Sequence, residues 1–294
     1  MPQEDLKVKT KQYTPYLFLT LPGAFLVLFA FVPIVLVFTY SFRSYELFQP
    51  GAFVGFDHYR ELLTDRNFWW ALLNSIIYLS VTPLLIVLSL GLATLLRERT
   101  RINEFFRSLY FLPVVTPVVI AAIAWQWMFH EDVGIVNAAI QGMGLSDKPL
   151  PWLTQYPLNL ITAMWVTIWR GMGYFMLIFI AGLMSIPESI EEAAEIDGAS
   201  WWQRTLHITI PSLRPSIMLV FIISSVNAVK VFTEVYIMLP GSPASNKPLV
   251  PYLYQQAFEY LDMGYASAVG VVLFVLTLGF SYLNMRYMER RYGA

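Results

Sequence analysis

The sequence predicts an all-α membrane protein with six transmembrane helices and both termini in the cytoplasm. Three observations carry this. Six mostly apolar stretches recur along the chain, each reaching the about 20 residues a helix needs to cross the hydrocarbon core. Charged residues make up only 13% of the 294 residues and hydrophobic ones 57%, whereas an average soluble domain is about 25% charged. Lys and Arg are also divided unequally between alternate connections, which sets the orientation.

The spans are expected at about 16–42, 72–96, 109–129, 158–184, 213–238 and 265–287. The first follows a segment holding Lys7, Lys9 and Lys11. Its apolar run is too long for a signal-peptide core and has no small-residue cleavage site, so it reads as an uncleaved signal anchor. Strands of a transmembrane barrel would be about 10 residues with strict alternation, which these long uniform runs are not. With the N-terminus inside, the inner segments hold twelve Lys and Arg, the outer loops five, and two (Arg170 and Lys230) lie within spans. The outer loops are then about 43–71, 130–157 and 239–264. Trp69, Trp70, Trp125, Trp127, Trp152 and Tyr156 sit near the span ends, as anchoring aromatics do. The division is a tail at 1–15, a first helix and outer loop at 16–71, a five-helix core at 72–287 that includes a cytoplasmic loop at 185–211, and a tail at 288–294.

Several function classes are excluded. A net charge of −1 lacks the basic footprint of a nucleic-acid partner. No cysteine is present, which removes disulfides, thiolate metal sites and cysteine nucleophiles. His58, His130 and His207 are far apart and in no ligand spacing, so no metal is assigned. There is no Gly-Lys pair for a GxxxxGK[ST] phosphate loop, no HExxH and no Gly-x-Ser-x-Gly elbow. No catalytic residue is expected, and the chain is read as a non-enzyme.

The most distinctive segment is polar and lies between the fourth and fifth spans: Glu191-Glu192-Ala193-Ala194-Glu195-Ile196-Asp197-Gly198, followed by Ile208-Thr209-Ile210-Pro211. Ser185 and Glu188 have capping-box spacing, as do Ser200 and Gln203. Two short helices are expected, one ending at Asp197 with Gly198 as its stop and one running from Trp201 to about Ile208, with Pro211 ending the loop. Ile186, Ile190, Ala193, Ala194 and Asp197 fall near one face. A helix resting on lipid would normally be Lys/Arg-rich on its polar side. This one is acidic and would face an anionic leaflet, so docking to a protein is the stronger reading.

The pattern Glu192-Ala193-Ala194, Gly198, Ile208 and Ile210-Pro211 resembles the EAA loop of permease subunits of bacterial ABC importers, with Ile210 where that family usually has leucine. Further stretches resemble carbohydrate importers of the maltose and glycerol-phosphate type. They are Phe53-Val54-Gly55-Phe56 with Tyr59, Phe68-Trp69 and Asn74; Gly134-Ile135-Val136-Asn137 and Trp152-Leu153; and Tyr254, Ala257-Phe258, Gly264 and Ala266-Ser267-Ala268. The resemblance implies the type I importer permease fold in the inner membrane. It also implies a second homologous permease, two cytoplasmic ATPase subunits that hold ATP and Mg, and an extracytoplasmic substrate-binding protein, with membrane lipid around the spans. This chain itself would hold no cofactor. The loop at 185–211 would be the coupling element through Glu191, Glu192, Ala193, Ala194, Asp197, Gly198, Ile208 and Pro211.

Polar residues inside spans are the default candidates for a substrate path. Ser224, Asn227, Lys230 and Glu234 step by three, three and four along the expected fifth helix and so share one face; Lys230 and Glu234 could also neutralise each other. Arg170 lies about 18 Å from the outer end of the fourth span at about 1.5 Å per residue. Asn227, Glu234 and Tyr236 suit a sugar. A phosphate ester would want uncompensated cations, and Glu234 beside Lys230 argues against one. A sugar, oligosaccharide or polyol glycoside is therefore expected, with a glycerol-phosphate type of substrate as the alternative. An ion-driven secondary transporter would show more spans and mid-membrane helix breaks, although Pro33, Pro83 and Pro117 interrupt spans here. An intramembrane enzyme has no catalytic constellation to support it.

Overall fold

The computed structural model describes residues 14–46 and 49–292. Lys7, Lys9 and Lys11 and the side chains of Arg290 and Arg291 lie outside what it describes. In chain order the elements are α1 (Thr14–Leu26), which runs through a π turn at Val27–Phe31 into α2 (Val32–Tyr40), a hairpin of β1 (Arg43–Glu46) and β2 (Gln49–Phe53), and α3 (Asp57–Thr64). Then come α4 (Arg66–Tyr78), α5 (Val81–Leu95), α6 (Arg101–Val115), α7 (Val118–Met128), α8 (Ile135–Gly142) and α9 (Leu158–Leu183). The rest are α10 (Glu188–Ile196), α11 (Trp201–Arg204), α12 (Ile210–Ser212), α13 (Arg214–Val229), α14 (Thr233–Met238), α15 (Leu249–Tyr254) and α16 (Met263–Tyr292).

Among the described residues four helices are long and apolar enough to cross a membrane: Phe18–Tyr40, Arg66–Leu95, Leu158–Leu183 and Met263–Tyr282. Counting each of two bent helix pairs as one span makes six. Arg101–Val115 and Val118–Met128 bend by 99°, and Trp201–Ser212 and Arg214–Val229 by 67°. The third span is thus not the continuous 109–129 helix expected. Thr116, held extended (φ −72°, ψ 128°) before Pro117, ends α6, because a residue preceding proline is pushed out of the helical region. The second span begins at Arg66 rather than 72. Asp65 caps it by accepting the Asn67 N–H at 2.8 Å, the role an N-cap carboxylate serves.

Of the described residues, the first compact unit holds those from 14 to 62 and from 256 to 272. The hairpin lies here, a small departure from an all-helical chain, with Tyr45 opposite Pro50. Tyr59 donates its hydroxyl hydrogen bond to Ser41 Oγ at 2.8 Å, and Phe42, Phe56 and Tyr59 pack ring against ring. A Cβ on Gly264 would sit 2.5 Å from the Arg43 carbonyl oxygen. This close approach is what a glycine at the start of α16 permits.

The second unit holds the described residues from 63 to 255 and from 273 to 292. Its core is α5 packed along α9, with Tyr78, Val81, Leu85, Ala93, Ala163, Val166, Phe175, Met176 and Phe179 all buried. Polar groups join the helices where no water is available: the Tyr78 hydroxyl meets the Ala163 carbonyl at 3.1 Å and Thr167 Oγ1 at 2.6 Å, and Ser89 donates to the Met172 carbonyl at 3.1 Å. Such bonds and small residues hold transmembrane helices together, because lipid gives no hydrophobic drive for helices to pair. Trp125 takes part in this packing: it stacks on Phe129 and meets Trp165 and Trp169 edge-on. Asn137, buried on α8, donates to the Glu131 and Leu150 carbonyls and accepts from the Leu150 N–H and the Trp152 indole.

The tightest contact is Gly173, whose added Cβ would lie 1.9 Å from the Tyr110 carbonyl oxygen on α6. Gly173→Ala must push the α6 and α9 backbones apart and should destabilise the purified protein by about 2–3 kcal/mol, the upper range for overpacking. Gly91→Ala, with nothing within 4 Å of its added Cβ, should be neutral or slightly stabilising, as alanine favours the helix by about 1 kcal/mol. Melting in detergent compares the two; equal curves would contradict this packing.

Candidate functional site: a polar cavity among the helices and a capped acidic helix

Arg170, Ser224, Asn227, Lys230 and Glu234 all line one cavity of about 380 Å³, together with Thr167, Tyr174 and Phe232. They do not reach it as a single helical face. Helix α13 stops at Val229, Lys230 (φ −95°, ψ 11°) leaves the helical path, and Phe232 (φ −138°, ψ −63°) precedes a new helix, α14. Glu234 therefore sits across a break from Lys230, and the two do not neutralise each other. The Arg170 Nη1 donates to Glu234 Oε1 at 3.3 Å, with the two side chains 26% and 12% exposed. Among the described residues Lys230 has no ion-pair partner. The cavity thus carries two cations and one carboxylate.

The cavity also holds unused hydrogen-bonding capacity. The Arg170 Nε is buried without a partner, and Asn227 is exposed to the cavity. Ser224 is less available than its position suggests, because its hydroxyl donates to the Val220 carbonyl at 2.6 Å within its own helix. Tyr236 does not line the cavity. It lies in an aromatic trio with Phe232 and Tyr254, ring centroids 5.1 Å from each. Thr167 and Tyr174, three residues before and four after Arg170, were missed; stepping along the helical face from Arg170 would have found them.

The loop between the fourth and fifth spans is built as two helices, with differences from expectation. Ser185 does not cap α10. Its hydroxyl turns back to the Gly182 carbonyl at 2.7 Å, and Pro187, itself extended (ψ 131°), is the N-cap. Glu188 and Glu191 occupy the first turn, where the helix dipole favours negative charge. At the other end the Ala199 N–H bonds the Ala194 carbonyl at 2.9 Å and the Gly198 N–H the Glu195 carbonyl at 3.0 Å. Gly198 lies at φ +76°. This is a Schellman ending, whose left-handed residue favours glycine. Ser200 and Gln203 form the second capping box. The helix they start continues through a π turn at Thr205–Thr209 into α12, so it passes Ile208 and Pro211 and breaks only at Leu213.

Charge fastens α10 to the body of the second unit. Arg97 Nη1 lies 2.6 and 2.8 Å from the two Glu191 carboxylate oxygens. Arg107 donates to the Leu96 carbonyl at 2.9 and 2.6 Å and to the Arg97 carbonyl at 2.8 Å, which fixes the chain that carries Arg97. Glu195 pairs with Arg204 at 3.0 Å. Ile186 is buried while Ile190 is half exposed. Glu192, Ala193, Asp197 and Gly198 are exposed, and Ile196 is 86% exposed. The helix thus turns Glu191 inward and presents Glu192, Ala193 and Ile196 outward.

Six apolar spans, two of them bent, with a polar cavity among the helices and a capped acidic helix between spans, define a polytopic membrane permease. The chain belongs to the family described as the binding-protein-dependent transport system inner membrane component, which it matches over residues 85–293. It is a multi-pass component of the inner membrane and an ABC importer permease subunit, and the ion-driven alternative falls away. It is 31% identical to a probable ABC transporter permease, YurN of Bacillus subtilis, over 96% of this chain and 98% of that protein. It is 34% identical to the arabinooligosaccharide transport permease AraP of Bacillus subtilis, over 94% and 89% of the two chains. Two structures of a bacterial alginate ABC transporter share the fold, each at 22% identity. One has a TM-score of 0.83 over 96% of both chains. The other, in complex with an alginate pentasaccharide-bound periplasmic protein, has a TM-score of 0.79 over 95% and 94%. The EAA segment is typical of the family.

Proposed function

We propose that this chain is one of two paired permeases of an ABC importer for an oligosaccharide or related glycoside, with N- and C-termini in the cytoplasm. Two ATPase subunits, which hold ATP and Mg, dock on the outward face of α10 through Glu192, Ala193 and Ile196, and an extracytoplasmic binding protein delivers substrate. The single observation behind the coupling role is the capping of α10 at both ends, with Glu191 fastened to Arg97 and an acidic and apolar face left uncovered. A helix that must transmit force needs fixed ends, and Gly198 and Arg97 supply them. Ile208 and Pro211 continue the relay into α13. The cavity of Arg170, Asn227, Lys230 and Glu234 is the substrate path, offering planar polar groups beside Tyr174 and Phe232. The arabinooligosaccharide relative supports the neutral class.

A second reading, an anionic glycoside or phosphate ester, is favoured by one observation: Arg170, not Lys230, is the neutralised cation, which leaves the Lys230 ammonium open in the cavity. The experiment is purification of the tagged protein from native membranes with identification of what comes with it, followed by uptake of neutral and acidic oligosaccharides. Co-purification of a second permease and an ATPase, with the ATPase lost in Glu192→Lys and Gly198→Pro, supports the reading. A protein that purifies alone, unchanged by both substitutions, overturns it.

A further inference from the structure

At the end of the second unit remote from α10, a second cavity of about 380 Å³ is lined by Arg66, Asn67, Trp70, Tyr156, Ser245 and Asn246. The distance from α10 follows from the chain. Arg66 starts a helical run of 30 residues that ends beside Arg97, about 45 Å at 1.5 Å per residue. The cavity of Arg170 lies part-way between, so this is a separate site.

Its walls are built rather than incidental. The short turn carrying Ser245 and Asn246 is strapped to α4 by buried side chains. Asn74 Nδ2 donates to the Ser245 carbonyl at 2.8 Å and the Lys247 carbonyl at 3.3 Å, and Ser75 Oγ accepts the Leu249 N–H at 2.8 Å. The Tyr252 hydroxyl donates to the carboxylate of Asp65, which also caps α4. Trp70 is half-buried beside the cavity and meets Tyr156 edge-on with centroids 6.2 Å apart, so part of the indole stays open to a ligand. Arg66 has no ion-pair partner among the described residues.

The geometry points to a binding site for one sugar ring at the outer mouth of the importer, a first station before the membrane cavity; this rests on the carbohydrate reading above. The chemistry selects the ligand. A partly open indole takes the flat C–H face of a pyranose or furanose. The Ser245 hydroxyl donates to Asn246 Oδ1 at 3.3 Å, which orients the Asn246 amide; its Nδ2 and the side-chain amide of Asn67 then offer donors and an acceptor to sugar hydroxyls. Arg66 is a planar fork whose paired N–H groups can span two neighbouring oxygens of one ring. The strap through Asn74 and Ser75 holds the polar wall in place before the ligand arrives, which lowers the ordering cost of binding.

The test uses the whole importer with its binding protein in liposomes. Uptake of arabinotriose, maltose, lactose and N,N′-diacetylchitobiose is measured beside ATPase stimulation as a function of binding-protein concentration. For the sugar the wild type takes up, Trp70→Ala should lower uptake about five- to tenfold, the scale of one lost aromatic contact, and Trp70→Phe should stay within about twofold because a ring face remains. Half-saturation by the binding protein should not move in either. Unchanged uptake in Trp70→Ala, an equal loss in Trp70→Phe, or a matching rise in half-saturation, which would make the patch a protein-docking surface, each overturns the site. If no sugar is carried by an importer that still assembles with its ATPase, the carbohydrate reading fails, and this site fails with it.

Discussion

Glu234→Ala is expected to cost more than any other change in the membrane cavity, because it strands the Arg170 guanidinium. That group is 26% exposed and its one described hydrogen bond is to Glu234 Oε1, while its Nε is buried with no partner. Removing one member of a buried pair costs roughly 3–5 kcal/mol because the other charge is left uncompensated. The residual exposure of Arg170 places this case near the lower end, about 3 kcal/mol. Lys230 adds a second unpaired cation to the same cavity. Glu234→Gln keeps an acceptor and should lose less. The double change Arg170→Met with Glu234→Leu should be more stable than either single change, since replacing both partners by apolar groups is often neutral. Transport should fall in all of them. Melting of the four purified proteins, read as a double-mutant cycle, checks this; single changes that simply add would mean that the pair carries no coupling.

Much of this arrangement was legible in the sequence, and the reasons for the rest are physical. The six spans follow from apolar length; the break at Thr116 has its cause in Pro117, yet that span was expected as one helix at 109–129, because a proline in an apolar run does not by itself say whether the helix bends or ends. The residues that carry the membrane cavity were found because polar groups in an apolar span stand out. Their grouping was not legible for the stated reason: the break at Lys230–Phe232 has neither glycine nor proline to mark it, so a three-four stepping rule was carried across a helix end. Arg170 and Glu234 are 64 residues apart, and Arg97 and Glu191 are 94 apart; no local pattern announces either pair. The two capping boxes show how one residue decides. Ser200 adjoins the first residue of α11 and caps it. Ser185 has the same spacing to Glu188, but Pro187 intervenes in an extended conformation, so the helix begins too late for Ser185 to reach it.

Reversing the charge at Arg97 should uncouple transport from ATP hydrolysis. Arg97 and Glu191 have side chains 29% and 28% exposed, so the pair is neither a free surface contact nor a buried one. Its contribution to stability should be modest, about 1 kcal/mol, the upper range for partly exposed pairs. Its mechanical consequence should be larger. Arg97 stands on a chain whose carbonyls Arg107 holds, and α10 has no other ion pair to the end of α5 among the described residues. With Arg97→Glu, two carboxylates face each other and α10 is driven away from α5. Movement of a docked ATPase then tilts α10 without displacing the spans behind it. Uptake should fall at least tenfold, while ATP hydrolysis stimulated by the binding protein persists. Glu191→Arg alone should behave alike, and Arg97→Glu with Glu191→Arg should recover much of the transport. The comparison pair is Glu195 with Arg204: Glu195 is 71% exposed, so Glu195→Gln should leave uptake within about twofold, as rim charges do. Uptake and ATPase rates from the same liposomes decide it. If Arg97→Glu lowers both rates together and the double reversal restores neither, Arg97 supports the fold and does not transmit motion from α10.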